Sequence, residues 1–336
     1  MSLTSNLSKV PQFKEIVAAI APKKKDFKTA SGKNPFSKEY ETLVPYTLEK
    51  PSDASLIGTA FDYLARFRIA QIINLEISFK ELVAYNGLKK LQKFTGDNSL
   101  EDKYYSIVQK ATDIFTKGEQ PLNNEVCVTA LKLANLERYS RANIVSGVSE
   151  TDIFNIQRTD TLINELTGLM KTFEDKFISS GFVKTDSKVV FNPHFGIASL
   201  LVDGADADIL VDDVLYDFKV VKDVGYKSAD VLQLTGYFLL NQLLKEIEHN
   251  YGISESLPFD DIEFSKICLY KARFGECEYF DFKDINEQNI RAALIRLAEY
   301  FLSNPDKTVK YTFLKANPHY DLDDYDDALR SIANSN

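Results

Sequence analysis

The apolar positions of this chain change period part-way along it. From residue 52 to about 180 they recur at three and four residues, as on amphipathic helices; after Gly181 they alternate over short runs, as in strands. The first part predicts a helix to about residue 73 through Leu56, Ile57, Ala60, Phe61 and Leu64, capped by Asp53 or Ser55. Further helices are predicted over 78–91, 100–117, 124–142 and 160–178, with Gly87, Gly96, Gly118 and Gly147 as stops. Strands are predicted over 188–191, 205–211 and 214–221, the last two joined at Asp212 and Asp213 as an antiparallel hairpin. A helix over 228–249 follows, then a strand pair over 262–272 and 276–282 turning at Arg273 to Gly275, and a closing helix over 286–303. The start of the chain is punctuated by Pro22, Pro35, Pro45 and Pro51, which predicts an irregular arm with one short helix over 13–20. There is no repeat of fixed period.

This pattern divides the chain into a basic arm (1–50), a helical region (51–180), a region of sheet and helices (181–305) and an acidic end (306–336). The 336 residues are 44% hydrophobic and 26% charged, the balance of a soluble globular protein. No apolar run approaches the roughly 18 residues of a membrane span, and the apolar stretch over 16–21 is too short for a secretory signal. Cys127, Cys268 and Cys277 are odd in number and widely spaced, which argues against a disulfide framework, so a cytoplasmic location is expected. With no CxxC pair they are expected to be buried small hydrophobes rather than ligands of an iron–sulfur cluster. The net charge of −9 opposes an extended nucleic-acid footprint. The acids are concentrated partly over 321–327 and partly in the candidate metal site, however, while Lys23, Lys24, Lys25, Lys28, Lys33 and Lys38 form either a local basic face or a solvated run.

The candidate chemistry lies over 204–237. Asp206 and Asp208 are two residues apart, hence on one face of a strand, and Leu215, Asp217, Lys219 and Val221 share a face of the next. Charges inside apolar strands are normally paired or bound to a metal. Gln233 and Tyr237 stand four apart on the following helix. This stretch, about a tenth of the chain, resembles the PD-(D/E)xK nuclease superfamily, nearest its RecB-type branch and the exonucleases of CRISPR adaptation. Members present an Asp on one strand, an (Asp/Glu)-x-Lys on the next and, in that branch, a QxxxY helix. Here these are Asp208, Asp217-Phe218-Lys219, and Gln233 with Tyr237.

The resemblance implies an α/β, restriction-endonuclease-like core: a mixed sheet flanked by helices, with a large helical N-terminal insertion. It implies a DNase in which Asp208 and Asp217 bind Mg²⁺ or Mn²⁺ and the Phe218 carbonyl adds a ligand. Lys219 would orient the attacking water or neutralise developing charge, and Gln233 and Tyr237 would contact substrate or brace the metal site. RecB-type members commonly add a GxxxH helix whose His joins the metal; here Gly58 is followed by Asp62. Asp62 is preferred as this ligand, ahead of Glu165 on the helix before the sheet, with His194 a further candidate.

Asp206 is a second acid on the same face or a solvated strand start. Asp212 and Asp213 read as turn residues and Asp203 as a loop acid. Asn241 either extends the Gln233–Tyr237 stripe or faces solvent. Lys222 and Lys227 read as loop lysines within reach of phosphates, and His249 and His319 have no apparent partners. Walker-type, dinucleotide, HExxH, GxSxG and paired-cysteine zinc motifs are all missing, which argues against an ATPase or helicase. Two other readings stay open: a nuclease-like module without catalysis that binds nucleic acid or a protein partner, and a helical half that is itself an interaction surface. Exonuclease against endonuclease, and one strand against two, are undecided at this level.

Overall fold

The computed structural model describes residues 2–78, 80–116, 124–141, 154, 156, 159–205, 207–251, 262–305 and 322–335. One six-stranded sheet runs through the molecule in the order β1-β6-β5-β4-β3-β2. Its strands are β1 (Lys28–Thr29), β2 (Val189–Phe191), β3 (Ile209–Val211), β4 (Val214–Lys219), β5 (Lys266–Lys271) and β6 (Glu276–Asp281). β2, β3 and β4 form an antiparallel meander, β4 and β5 pair in parallel, and β6 is antiparallel to both β5 and β1. A parallel step needs a long crossover. The 24-residue helix over Ser228–Tyr251 supplies it.

Alternation along the strands builds a core on each side. Ile209, Val211, Tyr216, Phe218, Cys268, Tyr270 and Cys277 face one cluster. That cluster is formed by α3 (Pro51–Ile72), α4 (Val83–Thr95), α5 (Ser99–Thr116), α6 (Asn124–Arg141) and α7 (Thr159–Phe173). Leu210, Leu215, Ile267, Leu269 and Phe280 face the other. Here pack α1 (Leu3–Lys9), α2 (Pro11–Ala18), α8 (Gly196–Leu201), α9 (Ser228–Tyr251), α10 (Glu287–Ser303) and α11 (Leu322–Ala333). The result is an α/β protein with a mixed sheet between helical layers.

The expected hairpin forms, with Asp212 at φ 54° in its turn and accepting a 2.9 Å hydrogen bond from the Lys188 N–H. Asp213 pairs with Lys266 at 2.8 Å. β3 is shorter than expected, so Asp208 immediately precedes it rather than lying within it.

The N-terminal segment has the expected short helix, as α2, but is more ordered than an irregular arm. Ser2 accepts from the Ser5 N–H to cap α1, and Pro11 opens α2 at a position where its missing N–H costs nothing. Leu3, Leu7, Phe13, Ile16 and Val17 are buried against the α9 side, and β1 pairs with β6. The acidic end is likewise not merely a tail: Ala328, Leu329 and Ile332 of α11 are buried. α8 was not expected at all. Gly118, Gly147, Asp206, His319 and residues 306–321 lie outside the described residues. Among the described residues no helix is long and apolar enough to cross a membrane.

Gly96 is a stop, at φ 72° past the end of α4. Gly87 is not: it lies inside α4, where a Cβ would come within 2.0 Å of the Leu136 carbonyl oxygen of α6. The glycine is what lets the two helices touch. Gly87→Ala is expected to lower unfolding free energy by about 1–3 kcal/mol, read from urea melts. An unchanged midpoint would show that α4 and α6 part freely.

Candidate active site

The polar ends of β3 and β4 open on a cleft of about 870 Å³. Asp62 of α3, Asp208, Asp217, Phe218, Lys219, and Gln233 and Tyr237 of α9 all line it. Local rules explain the convergence. Asp217 and Lys219 alternate with Tyr216 and Phe218, whose rings enter the α3–α7 core, so the charged pair faces the α9 side. The Phe218 N–H donates to Asp208 Oδ2 at 3.2 Å. N–H and C=O of one strand residue point the same way, so the Phe218 carbonyl also faces the Asp208 side, beyond the end of β3.

Lys219 Nζ lies 2.7 Å from Asp217 Oδ2 and 3.8 Å from Asp230 Oδ1, at the start of α9. The contact with Asp217 is a close ion pair between two largely buried side chains. Burial, reinforced by the adjacent Asp208, pushes the Asp217 carboxyl up to about 7 despite Lys219. Lys219 moves up too: burial alone would lower it, but Asp217 and Asp230 outweigh that. Both shifts reflect one imbalance, several acids around one ammonium. Asp62 belongs to it. Burial first, then repulsion from Asp208, raises its carboxyl well above the usual range, opposed by Arg66. Asp62 Oδ1 is buried without a hydrogen-bond partner among the described residues.

This surplus of negative charge, with Asp62 Oδ1 buried and without a hydrogen-bond partner among the described residues, is chemistry that a hard divalent cation would relieve. Among the described residues no three His, Cys, Asp or Glu side chains stand as a ready-made metal site. Mg²⁺, however, keeps several waters and needs only one or two carboxylates. Asp208, Asp217 and the Phe218 carbonyl are the donors that fit, with Asp62 across the cleft.

Gln233 donates from Nε2 to Tyr237 Oη and to Thr4 Oγ1, each at 3.2 Å, so α1 also borders the cleft. Comparison with family models, curated proteins and solved structures gives no match. The reading of this site therefore rests on its own geometry.

The rival ligands are elsewhere. Glu165 is buried in an ion pair with Arg273 and accepts from Thr47 Oγ1 at 2.5 Å, away from the cleft. His194 is half-buried and is not among the cleft-lining residues. Asn241 does not face solvent: it is buried, and its amide donates to the Ile262 carbonyl at 2.8 Å. Asp203, at φ 55°, does line the cleft. Lys222 is exposed over the Tyr46 ring, and Lys227 is exposed just before α9. Cys127, Cys268 and Cys277 are buried free thiols.

Sequence reading missed four polar contributors. Asp230 flanks Lys219; Arg66 lines the cleft one turn after Asp62; Asn192 hydrogen-bonds Arg66; Glu137 of α6 lines the cleft and accepts from Tyr63 Oη at 2.7 Å. Arg66 had a signal, because Gly58, Asp62 and Arg66 repeat every four residues on one helix face. Glu137 had none.

Proposed function

We propose that this protein is a metal-dependent nuclease that hydrolyses DNA phosphodiester bonds, with a PD-(D/E)xK-type core. One observation carries the reading: Asp208, just before β3, accepts from the Phe218 N–H at 3.2 Å next to Asp217 on β4, with Lys219 2.7 Å from Asp217 and Asp62 lining the same cleft. The order of parts supports it, since Asp208 precedes β3, Asp217 and Lys219 end β4, and the crossover helix α9 brings Gln233 and Tyr237 to the same opening.

In this reading Asp208, Asp217 and the Phe218 carbonyl would hold Mg²⁺ or Mn²⁺, which would supply electrophilic stabilisation of the phosphate and activation of water. The chain's own groups do the rest. Lys219, fixed between Asp217 and Asp230, holds an ammonium at the reacting centre and stabilises charge that develops there. Gln233 and Tyr237, hydrogen-bonded to each other, form a polar wall for the substrate. α3, α4 and α6 form the facing wall of the cleft, through Thr59, Asp62, Arg66, Asn86 and Glu137 among others.

The test is cleavage of labelled single-stranded and duplex DNA with Mg²⁺ or Mn²⁺ against EDTA. Cation-dependent cleavage is expected; inert protein across both substrates and both cations ends the reading. A non-catalytic module is the second reading, favoured by the lack of a ready three-residue ligand group among the described residues. It would show as DNA binding indifferent to the cation.

A further inference from the structure

Among the described residues lining the cleft, two carry positive charge: Lys219 and Arg66. Lys219 is already committed to Asp217 and Asp230. Arg66 is different. Its Nη2 donates to the neutral Asn192 Oδ1 at 2.8 Å, and its guanidinium lies 5.5 Å from the Phe191 ring centre and 5.9 Å from that of Tyr63. Among the described residues it has no ion pair, whereas Arg68, Arg273 and Arg291 each have a carboxylate partner. A guanidinium has five donors in a planar fork, so most of this group's hydrogen-bonding capacity is unspent.

The support behind Arg66 is specific. Asn192 ends β2 at φ 47°, a left-handed backbone that Asn tolerates better than most residues, and its N–H donates to the Asp208 carbonyl at 3.1 Å. The same Asn thus anchors the segment entering β3 and turns its amide oxygen on Arg66. Contact with Phe191 and Tyr63 further restricts the side chain, so little entropy remains to be lost on binding an anion. Arg66 and Asp62 stand four apart on α3, which sets the fork one helical turn from the acids.

We infer that Arg66 is a phosphate-binding residue that grips the nucleic-acid backbone next to the bond held at Asp208 and Asp217. This rests on the nucleic-acid reading above, and adds to it a contact that positions the strand without reading its sequence. In an otherwise acidic cleft such a cation has a second effect. It gives the polyanion a place to enter.

The experiment measures binding of a short fluorescein-labelled single-stranded DNA by anisotropy, in Ca²⁺, across a salt series, with cleavage in Mn²⁺ followed separately. Arg66→Ala is expected to weaken binding roughly tenfold or more, and to make the dependence of log Kd on log salt shallower by about one unit. Arg66→Lys keeps the charge without the fork and should fall between the two. Asn192→Asp keeps the turn and the acceptor but pairs Arg66 with a carboxylate. It should weaken DNA binding by more in the wild type than in the Arg66→Ala background, where only repulsion by the added carboxylate remains; equal losses in the two backgrounds mark a purely structural Arg66. Arg66→Ala with wild-type affinity and salt slope overturns the inference, as does Asn192→Asp with wild-type affinity. If DNA cleavage is absent yet Arg66-dependent binding persists, the nuclease reading fails and this one stands. If cleavage persists and Arg66→Ala binds normally, only this one fails.

Discussion

Lys219→Ala and Asp217→Ala are each expected to reduce metal-dependent DNA cleavage by roughly a hundred- to a thousandfold or more, the effect of deleting one preorganised charge at a reacting centre. The two should fail for different reasons. Asp217→Ala removes a cation ligand, and calorimetric titration with Mn²⁺ should show binding lost. Lys219→Ala leaves the carboxylates in place, so the cation should still bind while cleavage does not proceed. It also removes the group that holds the Asp217 carboxyl down against burial and Asp208. Cation affinity in the wild type should rise with pH through about 7, as Asp217 ionises, and in Lys219→Ala that rise should move to higher pH. The sign carries over to stability. A carboxyl raised from 3.8 to about 7 on folding favours the folded state below the lower value, and that contribution is lost as pH climbs to the upper one. Metal-free protein should therefore melt at lower temperature at pH 7.5 than at pH 5, and Mg²⁺ should restore more stability at the higher pH. Lys219→Ala cleaving at the wild-type rate would remove the lysine from the chemistry altogether.

What the sequence made legible was local. The strands from residue 188 to 221 and the helix after them follow from alternation and turn chemistry, as do the shared faces of Asp217 with Lys219 and of Gln233 with Tyr237; that all four meet at one opening was implied by the resemblance. The resemblance pointed to Asp62, in the place of the family's GxxxH histidine, and Asp62 does line the cleft although Gly58 does not. Features built by tertiary packing were not legible. α2 largely matches the short helix expected over 13–20, but α1, which buries only a few side chains, was not read, and Pro51, read as punctuation, begins α3. Gly87 read as a stop because glycine is costly in a helix; its reason is the backbone of α6, almost fifty residues away in sequence. Glu137 reaches the cleft only because α6 packs beside α3 and α4. Glu165 looked like a ligand because it is an acid on the helix before the sheet. Its partner, Arg273, sits more than a hundred residues later in the turn between β5 and β6.

That pair supports the second large effect, on stability rather than activity. The Arg273 and Glu165 side chains are both about 1% exposed and ion-paired. The guanidinium also donates to the Val44 and Pro45 carbonyls at 3.4 and 3.1 Å and lies 4.9 Å from the Tyr46 ring centre. Its own carbonyl accepts from the Leu43 and Val44 N–H groups. One residue thus fastens the β5–β6 turn to α7 and to the segment leading into α3. Arg273→Ala would strand the Glu165 carboxylate in the core, at an expected cost of about 3–5 kcal/mol in urea melts. Glu165→Ala should cost a similar amount. Exchanging both for apolar side chains, Arg273→Met with Glu165→Leu, should recover much of the loss, because no charge is then left buried alone. A loss below about 1 kcal/mol in Arg273→Ala would mean that water reaches Glu165 and the pair is not structural. The same residues separate fold from site. Glu165→Gln should leave Mn²⁺ affinity unchanged, and Asp62→Asn should weaken it. The opposite pattern would return Glu165 to the metal and take Asp62 out of it.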